Sequence, residues 1–313
     1  RRPCSIKTAG PLFCASVRYH PAPSKSFKEL LLANTGRQPY HDRNTTHPKA
    51  NIPIEEEPMS YLPMTAEMVS FTGHNGDKGE AYYVRPSGNG PLGGVVLIHH
   101  MPGWDDWCIE AARKLAHHGF ACIAPHLYFR EKPGSPDDCA ARARAAGGVS
   151  DDQVMGDVSG CVDFLRAQGH SNRKAAVMGF CSGGRQAYLA GCRIPNLDAI
   201  VDCWGGRVVV SDPADLTPER PVAPIDLTEN LTAPVIGLFG NDDQRPNPDE
   251  VNQQEEVLKK FGKTYEFHRY DGAGHGFFAA ERPAYRVEQA NDGWRKVYAF
   301  LDKHIGPAAK AAD

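Results

Sequence analysis

The sequence predicts an α/β protein built on a mostly parallel, doubly wound sheet with helices on both faces. Three observations carry that expectation. First, Gly94-Val95-Val96-Leu97-Ile98 and Val235 to Phe239 are continuous apolar runs without polar alternation, as befits parallel strands covered on both faces. Second, such runs alternate with segments that read as helices, the pattern of βα units. Third, no internal repeat or linker interrupts residues 60–305.

Taken in order, Glu67 to Phe71 and Glu80 to Val84 read as two strands joined by a turn over residues 73–79. The 94–98 strand leads into His99-His100-Met101-Pro102-Gly103-Trp104, then a helix over 106–118 that Gly119 stops. Phe120 to Pro125 is the next strand. A loop-rich stretch, 128–150, contains a short Ala/Arg segment (140–146) expected to form a helix over the site. A long helix follows at 151–168, its acidic start complementing the helix dipole. Further strands are expected at 174–179, 197–204, 235–239 and 263–269, with helices at 248–261 and 282–304.

Residues 1–60 differ. They are rich in Pro, Asn, Thr and basic residues, lack periodicity, and read as an irregular or disordered extension ahead of a single domain at 61–313. Arg1 to Lys28 holds no acidic residue, as in transit peptides, but Pro3, Pro11, Pro21 and Pro23 interrupt any amphipathic helix. The favoured expectation is upstream sequence outside the working enzyme, with Met59 its natural start.

The 313 residues carry a net charge of -3, which gives no electrostatic case for nucleic acid or an anionic membrane as partner. No run reaches the roughly 18 apolar residues of a spanning helix. Nine cysteines without CxxC or zinc spacing argue against a disulfide framework or metal site and for a reducing, cytoplasmic setting.

The chemistry centres on Gly179-Phe180-Cys181-Ser182-Gly183-Gly184. An apolar run ends, a cysteine follows, and glycines open a helix-like segment. This is the strand–nucleophile–helix turn of an α/β-hydrolase fold, with cysteine in place of serine. Small residues at 179 and 183 let the backbone turn, and amide N–H groups at a helix start favour a thiolate. Gly240-Asn241-Asp242-Asp243 follows a second apolar run, and Gly272-Ala273-Gly274-His275-Gly276-Phe277 a third. Nucleophile, acid, histidine is the chain order of that fold. Cys181 is thus the candidate nucleophile and His275 the base. Asp242 and the adjacent Asp243 are the candidates to orient the imidazole; Asp242 is preferred because it follows the strand by two residues, as in the family these motifs resemble. A developing oxyanion needs donors, expected from the backbone N–H groups of Ser182 and Met101.

These motifs, with Pro125-His126-Leu127-Tyr128 and Gly156-Asp157-Val158, resemble the dienelactone hydrolase (carboxymethylenebutenolidase) family over about residues 65–305. The resemblance implies a Cys181–His275–Asp242 triad, an acyl-cysteine intermediate, and hydrolysis of an enol-lactone or related small ester. It implies neither metal nor organic cofactor, and a monomer or small homo-oligomer. Two departures stand out. Where a well-studied branch carries a glutamate that helps activate the cysteine, this chain has His100, which either favours the thiolate, lines the pocket or packs at a strand end. The family's substrate-binding arginine after the histidine is replaced by Ala279. Arg282 lies nearby but offset, Arg142 and Arg144 are the candidates for the family's other substrate-binding arginine, Arg185 and Arg207 are further options, and Trp104 and Trp204 are candidate pocket walls. The rivals to lactone hydrolysis are a general esterase or thioesterase and a catalytically silent binding protein of the same fold.

Overall fold

A computed structural model describes residues 63–88 and 90–307. The expectations for residues 1–60 and for Met59 fall outside them. The described chain begins with an antiparallel pair, β1 (Met64–Thr72) and β2 (Lys78–Pro86). It continues through β3 (Leu92–Ile98), α1 (Asp106–His117), β4 (Ala121–Pro125), α2 (Pro136–Ala145) and α3 (Asp151–Ala167). Then come β5 (Ser171–Phe180), α4 (Ser182–Arg193), β6 (Ala199–Cys203), β7 (Val235–Gly240), α5 (Pro248–Lys260), β8 (Tyr265–Tyr270) and α6 (Val287–Ile305). The strands form one eight-stranded sheet in the order β1-β2-β4-β3-β5-β6-β7-β8. Every pairing from β4 onward across the sheet is parallel.

The continuous apolar strands split their side chains between two cores, as period-2 geometry demands. Val95 and Leu97 of β3, with Ala176, Met178 and Phe180 of β5, face α1 and α6. Val96 and Ile98, with Ala175 and Val177, face α3, α4 and α5. Helix α1 starts because Asp105 accepts from the Cys108 N–H. A reciprocal cap between Ser135 and Asp138 starts α2, which is longer than the expected 140–146 segment. The last helix starts at Val287, five residues later than expected. Residues 276–286 fold back instead: Phe277 and Phe278 are buried, and the Arg286 N–H closes on the Phe277 carbonyl. No helix among the described residues is long and apolar enough to cross a membrane.

Glycine is required at the β5–α4 turn because backbones touch there. A Cβ on Gly183 would lie 2.5 Å from the Ile98 carbonyl oxygen and 2.7 Å from that of His99. A Cβ on Gly179 would collide with the Gly183 carbonyl. Neither glycine has the positive φ that would make it obligatory for conformational reasons; the strained φ belongs to Cys181. Gly183→Ala is therefore expected to destabilise the fold by about 3 kcal/mol, the upper end of overpacking costs, because the opposing atoms are backbone. A denaturant midpoint unchanged from wild type would refute this.

Candidate active site

Cys181 caps the N-terminus of α4 at φ 57, ψ -118. A non-glycine residue there stores strain of order 1–3 kcal/mol. The turn is held by the Cys181 N–H on the Cys203 carbonyl (3.0 Å) and the Arg185 N–H on the Cys181 carbonyl (3.2 Å). Of the cysteines in the described residues, all free, only Cys181 is not buried. Burial drives the Cys203 thiol, one strand over, well above its ordinary range, so that thiol is inert.

His275 stands at the C-terminal end of the sheet in the loop after β8, where it interacts electrostatically with the Cys181 sulfur. Its Nδ1 lies 2.7 Å from Asp243 Oδ2. Burial of the ring pulls its pKa down, but the Asp243 carboxylate and the Cys181 sulfur outweigh it and raise the pKa to about 10. The imidazolium form therefore prevails at neutral pH.

Here the structure corrects the sequence reading. The carboxylate on His275 belongs to Asp243, which is 3% exposed, and Asp242 points to solvent. The reason is a tight turn after β7. Asn241 and Asp242 still donate their N–H groups across to Tyr270 and Ala273, while the Asp243 N–H closes back on the Gly240 carbonyl. That reversal sends the third residue inward, where Asp243 Oδ1 also accepts from the Arg245 N–H (2.9 Å).

Trp204, fully buried, lies beneath the histidine with ring centroids 6.5 Å apart and packs on Phe180, Phe277 and Phe278. It supports the site from below rather than walling a pocket. Its own turn has φ 43 and is braced by Asp202, a buried carboxyl that accepts from the Gly205 N–H (2.8 Å) and that burial pushes up to about 6.

A cavity of about 220 Å³ opens beside the elbow, lined by Met101 and Ser182, whose amides were the expected oxyanion donors, and by His99, Tyr128, Arg144, Arg185 and Arg220. Of the arginines picked from sequence, Arg144 reaches it and Arg142 and Arg282 do not. Arg142 ties its guanidinium to the Glu131 and Pro133 carbonyls, anchoring the approach to α2. Arg282 pairs with Asp105 (3.3 Å) and Glu281 (3.4 Å). Arg185 lies in the cavity wall but is committed to a buried bidentate pair with Asp151 (2.6 and 2.9 Å). Arg207 lies 3.9 Å from Asp215. Trp104 is also off the cavity, stacked on His126 with centroids 5.5 Å apart. His100, 5% exposed, gives its Nε2 to Asp105 at 2.6 Å.

Sequence reasoning missed Arg220 and Tyr128. Arg220 sits in the Pro/Asp-rich excursion after β6, which has no periodicity to orient it. Its guanidinium bonds to the Gly147 carbonyl (2.6 Å), and that of Arg144 to the Met101 carbonyl (3.4 Å); neither pairs with a carboxylate among the described residues. Tyr128 belonged to a segment noted only for its family resemblance. Its hydroxyl donates to the Met101 carbonyl at 3.1 Å, and burial raises its pKa, so it stays a donor at neutral pH.

The sheet order, the helices on both faces and the cysteine at the β5–α4 turn define an α/β-hydrolase. A family model for the dienelactone hydrolase family matches residues 80–305, and the chain belongs to that family, among the carboxylic-ester hydrolases. A provisionally named carboxymethylenebutenolidase of Salmonella typhimurium is 32% identical over 272 residues, covering 84% of this chain and 98% of its own. A Bradyrhizobium protein provisionally named 2-oxo-3-(5-oxofuran-2-ylidene)propanoate lactonase is 28% identical, covering 74% of this chain and 92% of its own. The crystal structure of a provisionally named dienelactone hydrolase from Klebsiella pneumoniae superposes with a TM-score of 0.69 at 29% identity, covering 77% of this chain and all of that one.

Proposed function

We propose that this protein hydrolyses a small anionic ester or enol-lactone through a Cys181–His275–Asp243 triad and an acyl-cysteine intermediate. The observation that carries the reading is Asp243 on His275 at 2.7 Å, with His275 interacting with Cys181, the one unburied thiol among the described residues. Asp243 holds the imidazole with Nε2 toward the sulfur. The thiolate attacks the carbonyl carbon, and the Ser182 and Met101 N–H groups receive the negative oxygen. Collapse expels the alkoxide or enolate, which takes a proton from His275. Neutral His275 then draws a proton from water, the hydroxide attacks the thioester, and the acid leaves as the thiolate reforms.

Arg144 and Arg220 on the cavity wall, neither paired with a carboxylate among the described residues, favour a substrate that carries its own anionic group. The relative named for lactone cleavage supports the lactone class. A reduced thiol suits the cytoplasm. The test is a panel of enol-lactones bearing a carboxylate against neutral aryl esters. The reading expects kcat/KM for the anionic lactones to lead by about 100-fold or more, a margin that two charge-assisted contacts supply. Equal rates would make the protein a general esterase. No turnover of either, with a thiol inert to alkylation, would make it a silent member of the fold.

A further inference from the structure

The peptide between His100 and Met101 is held through its His100 side by groups outside the triad. It is also the peptide whose N–H is assigned above to the oxyanion. A peptide unit is planar, with C=O and N–H antiparallel, so fixing the His100 carbonyl fixes the direction of the Met101 N–H.

Two donors fix that carbonyl, His99 Nδ1 at 2.8 Å and the Gly103 N–H at 3.0 Å. The tautomer of His99 follows from its other nitrogen: Nε2 accepts from the Leu127 N–H at 3.3 Å, so Nδ1 carries the proton and donates. Burial lowers the His99 pKa to about 4, which keeps the ring neutral and Nε2 free to accept. The side chain of His100 is fixed in turn by Asp105. One oxygen of that carboxylate takes His100 Nε2 at 2.6 Å and Arg282 at 3.3 Å, while the other takes the Cys108 N–H at 3.0 Å. Asp105 thereby joins the 99–105 loop, the first turn of α1 and the loop that carries His275.

We infer that His99 and Asp105 are positioning residues that aim the Met101 N–H at the oxyanion, His99 through the carbonyl of the same peptide and Asp105 through the His100 side chain. The inference rests on the hydrolase reading only for the place where the oxyanion forms. It answers the departure noted in sequence: the histidine standing in place of the glutamate is tied to Asp105, and its part is to hold the loop.

The test separates oxyanion binding from thiolate reactivity in the full-length protein. An aryl trifluoromethyl ketone adds reversibly to a thiolate: the sulfur lone pair forms the C–S bond, and the carbonyl π pair becomes an alkoxide in the oxyanion site. Iodoacetamide consumes the same thiolate by displacement of iodide and forms no such oxyanion. In Asp105→Asn, which keeps a good helix cap, ketone affinity read by fluorine NMR is expected to fall about tenfold while the alkylation rate of Cys181 stays within twofold. His99→Gln is expected to do the same, and Asp105→Asn decides alone if His99→Gln does not fold. Unchanged ketone affinity overturns the inference. So does a parallel loss of alkylation, which would assign the His100–Asp105 pair to the sulfur. Wild type that alkylates but forms no ketone adduct also overturns it. Wild type that binds the ketone, shows the expected loss in the variants and yet hydrolyses no ester keeps the inference and removes the proposed function.

Discussion

Replacing Cys181 with alanine is expected to lower turnover by a factor on the order of 10⁴ or more while leaving the fold intact. Removing the nucleophile from a triad costs about as much as removing the whole triad. The side chain is only partly buried at the rim of the core, so loss of its sulfur opens no large cavity. Alanine meets the same positive φ that cysteine already bears. Turnover on the best ester of the panel and a thermal melt of the same preparation check both halves. Activity within tenfold of wild type would eliminate Cys181 as the attacking group.

The second large effect separates two adjacent aspartates. Asp243→Asn is expected to cut kcat by about 10²–10⁴, since an amide in place of the carboxylate turns the imidazole to the wrong tautomer. Asp242→Asn is expected to stay near wild type, because its side chain faces solvent. The same pair has a pH signature. His275 has its pKa raised to about 10, so its charged form persists through neutrality and is lost as pH rises through about 10. The stability this raised value confers is complete below the ordinary histidine pKa of about 6.5 and drains away between there and about 10. Asp243→Asn removes a carboxylate that raises it, so the alkaline limit of activity should move down toward 6.5. A profile that shifts instead in Asp242→Asn would restore the aspartate favoured from sequence.

The difference between those two residues shows what a sequence discloses. Strands β3 and β7 were legible because both faces are buried, which leaves an uninterrupted apolar run. The elbow was legible because close backbone approach admits only glycine at 183. The turn after β7 was not: which of two neighbouring aspartates points inward depends on a single hydrogen bond from the Asp243 N–H to the Gly240 carbonyl. The arginines were harder still. Arg142 and Arg144 lie on one short helix, yet one binds carbonyls behind it and the other reaches the cavity. Arg220 arrives from a segment more than 70 residues downstream that has no periodic pattern to place it. Residues 282–286 read as the start of the last helix because nothing local announces that the Arg286 N–H will close back on the Phe277 carbonyl.

The order of the strands also bears on when the protein becomes active. The cysteine rides on β5 in the middle of the sheet, the aspartate follows β7, and the histidine follows β8, the edge strand that pairs with β7 alone. In the proposed triad, a folding chain with every strand but the last in place has its thiol at the β5–α4 turn and its carboxylate after β7, with the histidine still missing. Such long-range parallel pairings form slowly. Assembly of the proposed triad therefore waits on the docking of β8 and not merely on collapse of the core.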